Sequence, residues 1–271
     1  MDMGLKGQVA LVTGGGQGVG RRICLELADE GAWIVVNDLQ SERAVRVASE
    51  ISSQGGRAFP AACDITDAQA VDAMVQQARE HFGVPVTVLI NNAGIIPERR
   101  EQGGMPPTFV DTSLADWSKI LRLNLDGSMN CCKAVLPGMV ESMQGRIVNI
   151  ISEAGRAGEE RLAVYSGAKG GLAAFGRALA REHARHRITV NAVALGAVSH
   201  EGIRSGPLSP AATPDNDPVL AKMLKSYPIA RGTGRLSRPE DISGLVAFLV
   251  SNRAQYITGQ TIGASGGFVI T

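Results

Sequence analysis

The sequence predicts a doubly wound α/β fold, in which helices cover both faces of a parallel β-sheet of about seven strands. Two observations lead to this prediction. Short apolar runs alternate with segments of helical periodicity along all 271 residues, and neither an internal repeat nor a break in composition divides the chain. The first apolar run ends at a cluster of glycines, which is typical of the first strand of such folds. We therefore expect residues 1–271 to form one domain.

Seven short apolar runs are the predicted strands of this sheet. Parallel strands that are buried on both faces read as near-continuous apolar runs of this kind. The predicted strands are Gln8–Thr13, Trp33–Asn37, Arg57–Ala62, Val86–Ile90, Arg146–Ile151, Ile188–Val193 and Gln260–Ile262.

Helical periodicity predicts helices between these strands. The predicted helices are Arg21–Glu30, Ser41–Ser53 with Ser41 as N-cap, Asp67–Phe82, Leu114–Met143 with a bend at Gly127 or Pro137, a long helix carrying Tyr165 and Lys169, and Pro239–Val250. Two segments interrupt the alternation. Residues 95–111 contain three prolines, and residues 198–226 begin with a stretch rich in Gly, Pro, Ser and Asp. We expect the first to contact the substrate and the second to act as a lid.

Composition and charge exclude several classes of function. The formal net charge is +1 and the charges are dispersed, which argues against binding to nucleic acid or to a membrane surface. No apolar stretch approaches the ~18 residues of a membrane span, and the N-terminus lacks the features of a signal peptide. The four cysteines and four histidines show no metal-ligand spacing. We expect a soluble, reduced, cytoplasmic protein without a metal site.

The turn Thr13–Gly20, which reads TGGGQGVG, lies between a predicted strand and a predicted helix. Glycines allow the backbone to approach a pyrophosphate, whose charge is favoured by the N-terminus of the following helix. Glycine-rich turns are common, so it is the flanking strand and helix that favour dinucleotide binding. The candidate cofactor contacts in this turn are Gly14, Gln17, Gly18, Val19 and Gly20.

The second strand leads into Asp38, 18 residues after Gly20. An acidic side chain there can accept hydrogen bonds from the hydroxyls of an adenosine ribose, and it would repel a 2′-phosphate. The neighbouring Gln17, Asn37 and Leu39 offer no cation for such a phosphate. We therefore predict NAD rather than NADP, with Asp38 and Leu39 beside the ribose. The alternative is that Asp38 serves only as a turn or capping residue.

Ser152, Tyr165 and Lys169 are candidate catalytic residues. Tyr165 and Lys169 are four residues apart in a segment that can be helical, so their side chains would share one helix face. An ammonium beside a phenol favours the phenolate, which could act as a base. Ser152 follows the apolar run Ile147–Ile151 and would lie at the carboxyl end of a strand, where open α/β sheets hold ligands. The alternative is a core tyrosine, a surface lysine and a loop serine.

Taken in order, these motifs resemble those of the short-chain dehydrogenase/reductase family, in its compact one-domain branch. The resemblance extends from Gly7 to about residue 267, and the ordered combination is more specific than any single motif. The matching segments are TGGGQGVG at 13–20, Asp38, Cys63-Asp64-Ile65, NNAG at 91–94, Asn124 within LNLDG, Ser152, YSGAK at 165–169, RPEDI at 238–242 and ITGQTIGASGG at 257–267.

The resemblance implies a Rossmann-type fold and a set of catalytic roles. Tyr165 would be the general acid/base, and Ser152 would donate a hydrogen bond to the substrate oxygen. Lys169 would bind the nicotinamide ribose and favour the Tyr165 phenolate. Asn124 would form a kink with a bound water in the long helix, through which Lys169 passes protons to solvent; its alternative is a local backbone hydrogen bond within the helix.

The resemblance also assigns the remaining cofactor contacts. Asp64 and Ile65 would border the adenine, and the backbone of Val198 would meet the nicotinamide carboxamide. The other residues beside the cofactor would be Asn91, Ala93 and Gly94. The alternative for this NNAG segment is a turn that stabilises the sheet, and both interpretations can hold together.

Two residues after the sixth predicted strand depart from the family pattern. Leu195 replaces a proline, and His200 stands where a threonine would bind the nicotinamide carboxamide. Leu195 gives up the fixed φ of proline, which would loosen the hinge of the lid. For His200, contact with the cofactor, contact with the substrate and exposure to solvent all stay open.

The predicted function is reversible, NAD-dependent hydride transfer between a secondary alcohol and its ketone. The main alternative within the family is reduction of 3-oxoacyl thioesters. An NAD-binding regulatory protein without activity is disfavoured by the intact candidate catalytic residues. An epimerase or dehydratase is disfavoured because too little chain follows Val193 for a substrate domain.

The resemblance further implies a homotetramer, with a homodimer as the alternative. The candidate contact surfaces are the helix stripe Leu121–Leu136 and the segment Ala247–Ile262. The substrate pocket would lie among residues 95–110, 154–162 and 198–224. Its charged candidates would form a solvated rim or select a polar substrate: Glu153, Arg156, Glu159, Glu160 and Arg161.

Overall fold

The computed structural model describes residues 2–94 and 106–270, and a seven-stranded parallel sheet forms its centre. Its strands are β1 (Val9–Val12), β2 (Trp33–Asp38), β3 (Arg57–Ala62), β4 (Val86–Asn91), β5 (Gly145–Ser152), β6 (Ile188–Leu195) and β7 (Thr261–Ala264). Their order in the sheet is β3-β2-β1-β4-β5-β6-β7. The predicted doubly wound α/β fold is confirmed.

The helices alternate with the strands along the chain. Within the described ranges they are α1 (Gly18–Asp29), α2 (Ser41–Ser53), α3 (Ala68–Phe82), α4 (Leu114–Leu121), α5 (Gly127–Glu141), α6 (Ala154–Ala157), α7 (Ala163–His183), α8 (Pro218–Ser226), α9 (Pro228–Thr233) and α10 (Glu240–Val250). A π-helical turn, Arg122–Asp126, joins α4 to α5. Short 3₁₀ turns lie at Phe109–Asp111, Ala184–His186 and Asn252–Ala254.

Two apolar cores lie on the two faces of the sheet. Helices α1, α2 and α10 pack on one face, and α3, α5 and α7 pack on the other. Alternate residues of a strand point to opposite faces, so Val12 lies in the first core and its neighbour Leu11 in the second. Both residues are fully buried, which explains the continuous apolar runs of the sequence.

Several boundaries differ from the predictions, and helix α1 begins at Gly18 rather than at Arg21. Gln40, not Ser41, occupies the N-cap of α2, and Ser41 is its first residue. The long helix predicted over Leu114–Met143 is interrupted by the π-helical turn directly before Gly127, whereas Pro137 lies inside α5. Strand β6 runs to Leu195, beyond its predicted end at Val193.

Helices α8 and α9 were not predicted. Both begin with a proline in their first turn, Pro218 and Pro228, where the missing N–H of proline costs no helical hydrogen bond. The Asp217 side chain caps α8 by accepting from the amides of Val219 and Leu220 at 2.9 and 3.0 Å. Pro218, which indicated a loop, therefore begins a helix at the end of the predicted lid region, and α9 lies beyond that region.

Candidate active site

The carboxyl ends of the strands define one edge of the sheet, and most of the predicted site residues lie there. The order of the strands reverses between β1 and β4, so the connections leaving these two strands diverge to opposite sides. Open α/β sheets bind ligands in the crevice formed at such a point.

The turn between β1 and α1 is too tightly packed for side chains. A β-carbon on Gly20 would lie 2.2 Å from the carbonyl oxygen of Gly14, and Gly14 and Gly18 have φ values of +61° and +53°. The N-cap residue Gln17 makes no capping hydrogen bond with its side chain, and the first turn of α1 contains no acidic residue. The first amides of α1 therefore face a space that suits an anion. Val19 lies within this turn and is partly buried.

Thr13 and Asn92 hold the glycine turn against the end of β4. Thr13 Oγ1 accepts from the amides of Asn92 and Ala93 at 3.0 and 3.1 Å and donates to the Ile90 carbonyl at 3.3 Å. The Asn92 side-chain amide donates to the carbonyls of Thr13 and Gly14 at 2.9 and 3.2 Å. The NNAG segment thus supports the glycine turn directly, and Thr13 is a supporting residue that the sequence analysis did not single out.

Asp38 is fixed at the outer corner of this turn. Its Oδ2 accepts from the amide of Gly16 at 3.1 Å, and its Oδ1 accepts from the amide of Gln40 at 3.0 Å. The residue is buried, while its neighbour Leu39 is exposed. The carboxylate is therefore held in place by backbone donors at the end of β2, as a ribose-binding group would need to be.

Two arginines of α2 reach the same corner, which the sequence analysis overlooked. Arg46 Nη2 donates to the carbonyl of Gly16 at 3.0 Å. The β-carbon of Arg43 lies 2.5 Å from the position that a β-carbon on Gly16 would occupy. The corner therefore holds positive charge beside the carboxylate of Asp38.

The segment that follows β3 lies beside Asp38. The Cys63 amide donates to the Asp38 carbonyl at 3.2 Å, and Asp64 is exposed. Ile65 is buried, and its carbonyl accepts from Asn130 Nδ2 at 3.0 Å. Because Ile65 is anchored in this way, the preceding residue Asp64 is held at the surface with its side chain exposed.

Asn91 directs its side chain into the core. Its Nδ2 donates to Asn149 Oδ1 at 2.9 Å, and the residue is buried. Any contribution of Asn91 to a ligand site at this edge is therefore limited to its backbone. Ala93 and Gly94 follow in the open crevice and are partly buried.

Lys169 lies one helical turn after Tyr165 on α7, and its side chain is buried. Its Nζ donates to the carbonyl of Ile150 in β5 at 3.0 Å and lies 5.9 Å from the centre of the Tyr165 ring. Desolvation disfavours the ammonium and lowers the pKa of Lys169 to about 8. The structure thus brings the two predicted side chains together on one helix face.

The Lys169 ammonium and the Asn124 side-chain amide both lie next to Gly94. A β-carbon on Gly94 would lie 2.7 Å from Lys169 Nζ and 2.9 Å from Asn124 Oδ1. Asn124 lies in the π-helical turn, where its Nδ2 donates to the Ile120 carbonyl at 3.0 Å. Its buried Oδ1 has no partner among the described residues. Asn124 therefore makes the local backbone hydrogen bond to Ile120 and also has its side chain oriented toward Lys169.

Ser152 ends β5 and is brought close to α7 by the short helix α6. Its Oγ accepts from the amide of Ala154 at 3.2 Å. Helix α6 packs directly on α7 at Gly155, where a β-carbon would lie 2.8 Å from the backbone of Lys169 and Gly170. Any side chain at Gly155 would push the helix that carries Tyr165 away from the strand that carries Ser152.

A small cavity opens beside Tyr165, but part of the expected substrate region lies outside the described residues. The cavity has a volume of about 30 Å³ and is lined by Phe109, Trp117, Leu162 and Tyr165, among other residues. The rings of Phe109 and Trp117 are stacked at 5.0 Å. Residues 95–105 of the predicted substrate loop are not described.

The charged candidates of the substrate pocket have different environments. Glu153 is buried and its carboxylate accepts from Arg156 Nη1 at 3.0 and 3.1 Å, so this pair is not part of a solvated rim. Glu160 is exposed, and Arg161 Nη1 donates to the carbonyl of Pro106 at 3.0 Å.

The lid begins beyond a well-anchored strand end. Leu195 pairs with Ser152 on one side and with Ala264 on the other, so this residue lies within the sheet and the lid begins after it. Val198 forms an isolated parallel bridge with Ser237. His200 is buried with its ring against Gly18 of the glycine turn, which excludes the solvent-facing alternative.

Comparison with known sequences agrees with this architecture. A family described as short chain dehydrogenase matches residues 8–205. The (2S)-[(R)-hydroxy(phenyl)methyl]succinyl-CoA dehydrogenase subunit of Thauera aromatica is 37% identical over 267 residues, which cover 98% of each chain. A 3-oxoacyl-[acyl-carrier-protein] reductase of Synechocystis sp. is 35% identical over 268 residues, again 98% of each chain.

A solved structure is also similar over nearly the whole chain. It is a 7α-hydroxysteroid dehydrogenase complexed with NADH and 7-oxo glycochenodeoxycholic acid. The TM-score is 0.85 at 32% sequence identity, and the match covers 98% of this chain and 96% of that one. The chain therefore belongs to the short-chain dehydrogenase/reductase family of oxidoreductases.

Proposed function

We propose that this oxidoreductase is NAD-dependent and interconverts a secondary alcohol and its ketone, with Tyr165 as general acid/base. The observation that carries the proposal is the buried Lys169 ammonium, which the Ile150 carbonyl holds 5.9 Å from the centre of the Tyr165 ring. A cation in a site of low dielectric constant stabilises a neighbouring phenolate. Tyr165 can therefore take up and return a proton at the edge of the sheet that is open to a ligand.

The glycine turn and its corner fit a dinucleotide. The close approach of Gly14 and Gly20 leaves uncapped amides of α1 facing the crevice, and these would hold the pyrophosphate. Asp38, fixed by two backbone amides, would accept from the adenosine ribose. When bound, the nicotinamide ring would accept or supply the hydride. The similar hydroxysteroid dehydrogenase carries NADH, which agrees with this choice.

The protein's own residues would transfer the proton and stabilise the charge that develops on the substrate oxygen. Tyr165 as phenolate would remove the proton of the substrate hydroxyl, and in the reverse direction the phenol would return it. Ser152 would donate a hydrogen bond to the substrate oxygen as charge develops there. Lys169 would favour the phenolate, and Asn124 would hold a water beside the ammonium through its unpartnered Oδ1.

The relatives support a second candidate substrate class, the 3-oxoacyl thioesters. One relative is named for a succinyl-CoA compound and another for a 3-oxoacyl group on acyl-carrier protein. The similar solved structure instead contains an oxo steroid acid. Comparing kcat/KM for a 3-oxoacyl-CoA with that for cyclic and linear ketones would separate the two classes.

The assembly and location of the protein also belong to this proposal. Exposed Leu121 and Met129 lie within the proposed helix stripe, which supports a homotetramer with α5 at one interface. All four cysteines are free thiols, which supports a reducing, cytoplasmic location. None of the described helices is long and apolar enough to span a bilayer.

Replacing Tyr165 by Phe should lower kcat by about 10²–10⁴-fold, because it removes the proton-transferring oxygen and keeps the ring. The Kd for NADH, measured by fluorescence titration, should change less than about threefold, since a neutral hydrogen bond contributes little net affinity. Tyr256→Phe is the matched control, because Tyr256 is fully exposed. Retained turnover in Tyr165→Phe would refute the assigned role.

Replacing Lys169 by Met should raise the free energy of unfolding at pH 7 by about 1–3 kcal/mol, because it removes a buried ammonium. Below pH 8 the native state bears the full cost of desolvating Lys169, whose pKa is lowered to about 8. Between pH 8 and about 10.4 the unfolded chain binds more protons than the native state, so the free energy of unfolding of the wild type rises with pH.

The gain from Lys169→Met should therefore shrink as the pH rises through this window, as measured by urea denaturation. Lys133→Met is the matched control, because Lys133 is exposed on α5. A gain that stays constant from pH 7 to about 10.4 would show that Lys169 is not buried as an ammonium.

Replacing Asp38 by Asn should narrow the preference for NAD over NADP, measured as the ratio of their kcat/KM values. The wild type should favour NAD by about 10-fold or more. When NADP binds, the Asp38 carboxylate loses its hydrogen bonds to the ribose hydroxyls and also repels the 2′-phosphate. In the variant, Arg46 at the Gly16 carbonyl should attract the phosphate without opposition. Glu42→Gln removes an exposed charge of α2 and should leave the ratio unchanged. A wild type that prefers NADP would refute the cofactor assignment.

A further inference from the structure

Tyr227 connects the far end of the lid to the end of strand β6. The residue lies between α8 and α9, directly before Pro228, and its backbone is extended, with a φ of −99° and a ψ of 111°. A proline disfavours the helical region for the residue that precedes it, which explains this conformation. The side chain of Tyr227 reaches the backbone that follows β6.

The ring of Tyr227 packs on the backbone at the end of β6. A β-carbon on Gly196 would lie 2.7 Å from Tyr227 Cε1, so the absence of a side chain at Gly196 allows this approach. The same ring is stacked on Phe268, with the ring centroids 4.6 Å apart. The Ile229 amide donates to the Gly266 carbonyl at 3.0 Å, which ties α9 to the segment after β7. Together these contacts fix the position of the ring.

The hydroxyl of Tyr227 accepts a hydrogen bond from the first part of the lid. The donor is the amide of Ala197, which lies 3.0 Å from Tyr227 Oη. Burial raises the pKa of Tyr227, so the phenol stays neutral at neutral pH. Because the two residues are 30 positions apart, this bond joins the two ends of the lid.

A second hydrogen bond holds the same segment two residues further on. The Ser199 amide donates to the Ser237 carbonyl at 2.8 Å, within the parallel bridge that Val198 forms with Ser237. The amide of Val198 lies between the two bonded amides and has no hydrogen-bond partner among the described residues. Val198 is only partly buried. An unpaired N–H whose neighbours are both held is therefore available, with a fixed orientation, to a ligand acceptor.

We propose that Tyr227 is a positioning residue, which holds the backbone around Val198 so that the Val198 amide can donate to the carboxamide of a bound nicotinamide. This inference rests on the proposed function and on the contact between the Val198 backbone and that carboxamide. Tyr227 itself would not touch the cofactor. Its hydroxyl would act through the Ala197 amide, by keeping the peptide group before Val198 from rotating.

The test compares the binding of NAD with that of ADP-ribose, which contains the same diphosphate and adenosine but no nicotinamide. Calorimetry gives the Kd of each ligand for the wild type and for Tyr227→Phe, which keeps the ring and removes the hydroxyl. Tyr256→Phe is the matched control, because Tyr256 is fully exposed. Thermal unfolding shows whether each variant is folded.

We expect Tyr227→Phe to raise the Kd for NAD by about 5–10-fold, the range expected when one hydrogen bond is lost. The Kd for ADP-ribose should change less than about twofold, because ADP-ribose lacks the group that the Val198 amide would bind. A purely structural role of the hydroxyl would weaken the binding of both ligands alike. Tyr256→Phe should leave both Kd values unchanged.

Amide hydrogen exchange in the protein without cofactor tests the same hydrogen bond independently. In Tyr227→Phe the Ala197 amide loses its acceptor, so it should exchange at least about 10-fold faster than in the wild type. Mass spectrometry of the peptide that contains residues 196–199 measures this rate. The rate in Tyr256→Phe should equal that of the wild type.

Three results would overturn the assignment. Equal weakening of NAD and ADP-ribose would show that the hydroxyl supports the lid as a whole, and unchanged binding of both would show that it does not position the Val198 amide. An unchanged exchange rate would show that Tyr227 does not hold this segment. Wild-type protein that binds neither NAD nor NADP would instead refute the proposed function, whereas the exchange rate does not depend on the cofactor, so the two failures are distinguishable.

Discussion

The hydrogen bond from the buried Lys169 ammonium to the Ile150 carbonyl is the interaction on which the candidate site depends. An ammonium in the interior is expensive, and one carbonyl compensates for only part of the lost hydration. The cost is visible in the lowered pKa of Lys169. The cation is held there because α7 packs against β5, and the same packing brings the Tyr165 ring to the end of the strand that carries Ser152.

That packing is possible because two glycines remove side chains from the contact. Gly155 lets α6 lie against the backbone of Lys169, and Gly94 lets the end of β4 approach both Lys169 and Asn124. A methyl group at Gly155 would force α6 away from α7, and one at Gly94 would separate the end of β4 from Lys169 and Asn124. The glycine turn at the opposite side of the crevice is also too closely packed for side chains, and Thr13 and Asn92 supply its hydrogen bonds.

Local features of the site were predictable from the sequence, and long-range ones were not. The spacing of Tyr165 and Lys169 is a property of one helix, so the sequence was sufficient to place them on one face. The approach of Arg46 to Gly16 joins residues 30 positions apart, and nothing in the neighbourhood of Asp38 signals it. The orientation of His200 depends on the bridge between Val198 and Ser237, which periodicity cannot indicate.

The same distinction applies to the fold. Alternating apolar and helical segments were enough for the parallel sheet, because its central strands β1, β4, β5 and β6 are buried on both faces. The resemblance implied a kink at Asn124, but its π-helical form was not predicted, because a helical pattern does not reveal an extra residue within one turn. Helix α8 was missed because Pro218 was interpreted as a loop residue, although proline is well tolerated in the first turn of a helix.

The pairing of Lys169 with Tyr165 is tested most directly by ultraviolet titration of tyrosinate in the wild type, Tyr165→Phe and Lys169→Met. The chain has three tyrosines, so the difference between the wild type and Tyr165→Phe isolates the ionisation of Tyr165. We expect Tyr165 to ionise at a lower pH than free tyrosine, and we expect the transition to move to higher pH in Lys169→Met. Ionisation of Tyr165 at or above the pH of free tyrosine, or a transition that Lys169→Met leaves unchanged, would contradict the proposed mechanism.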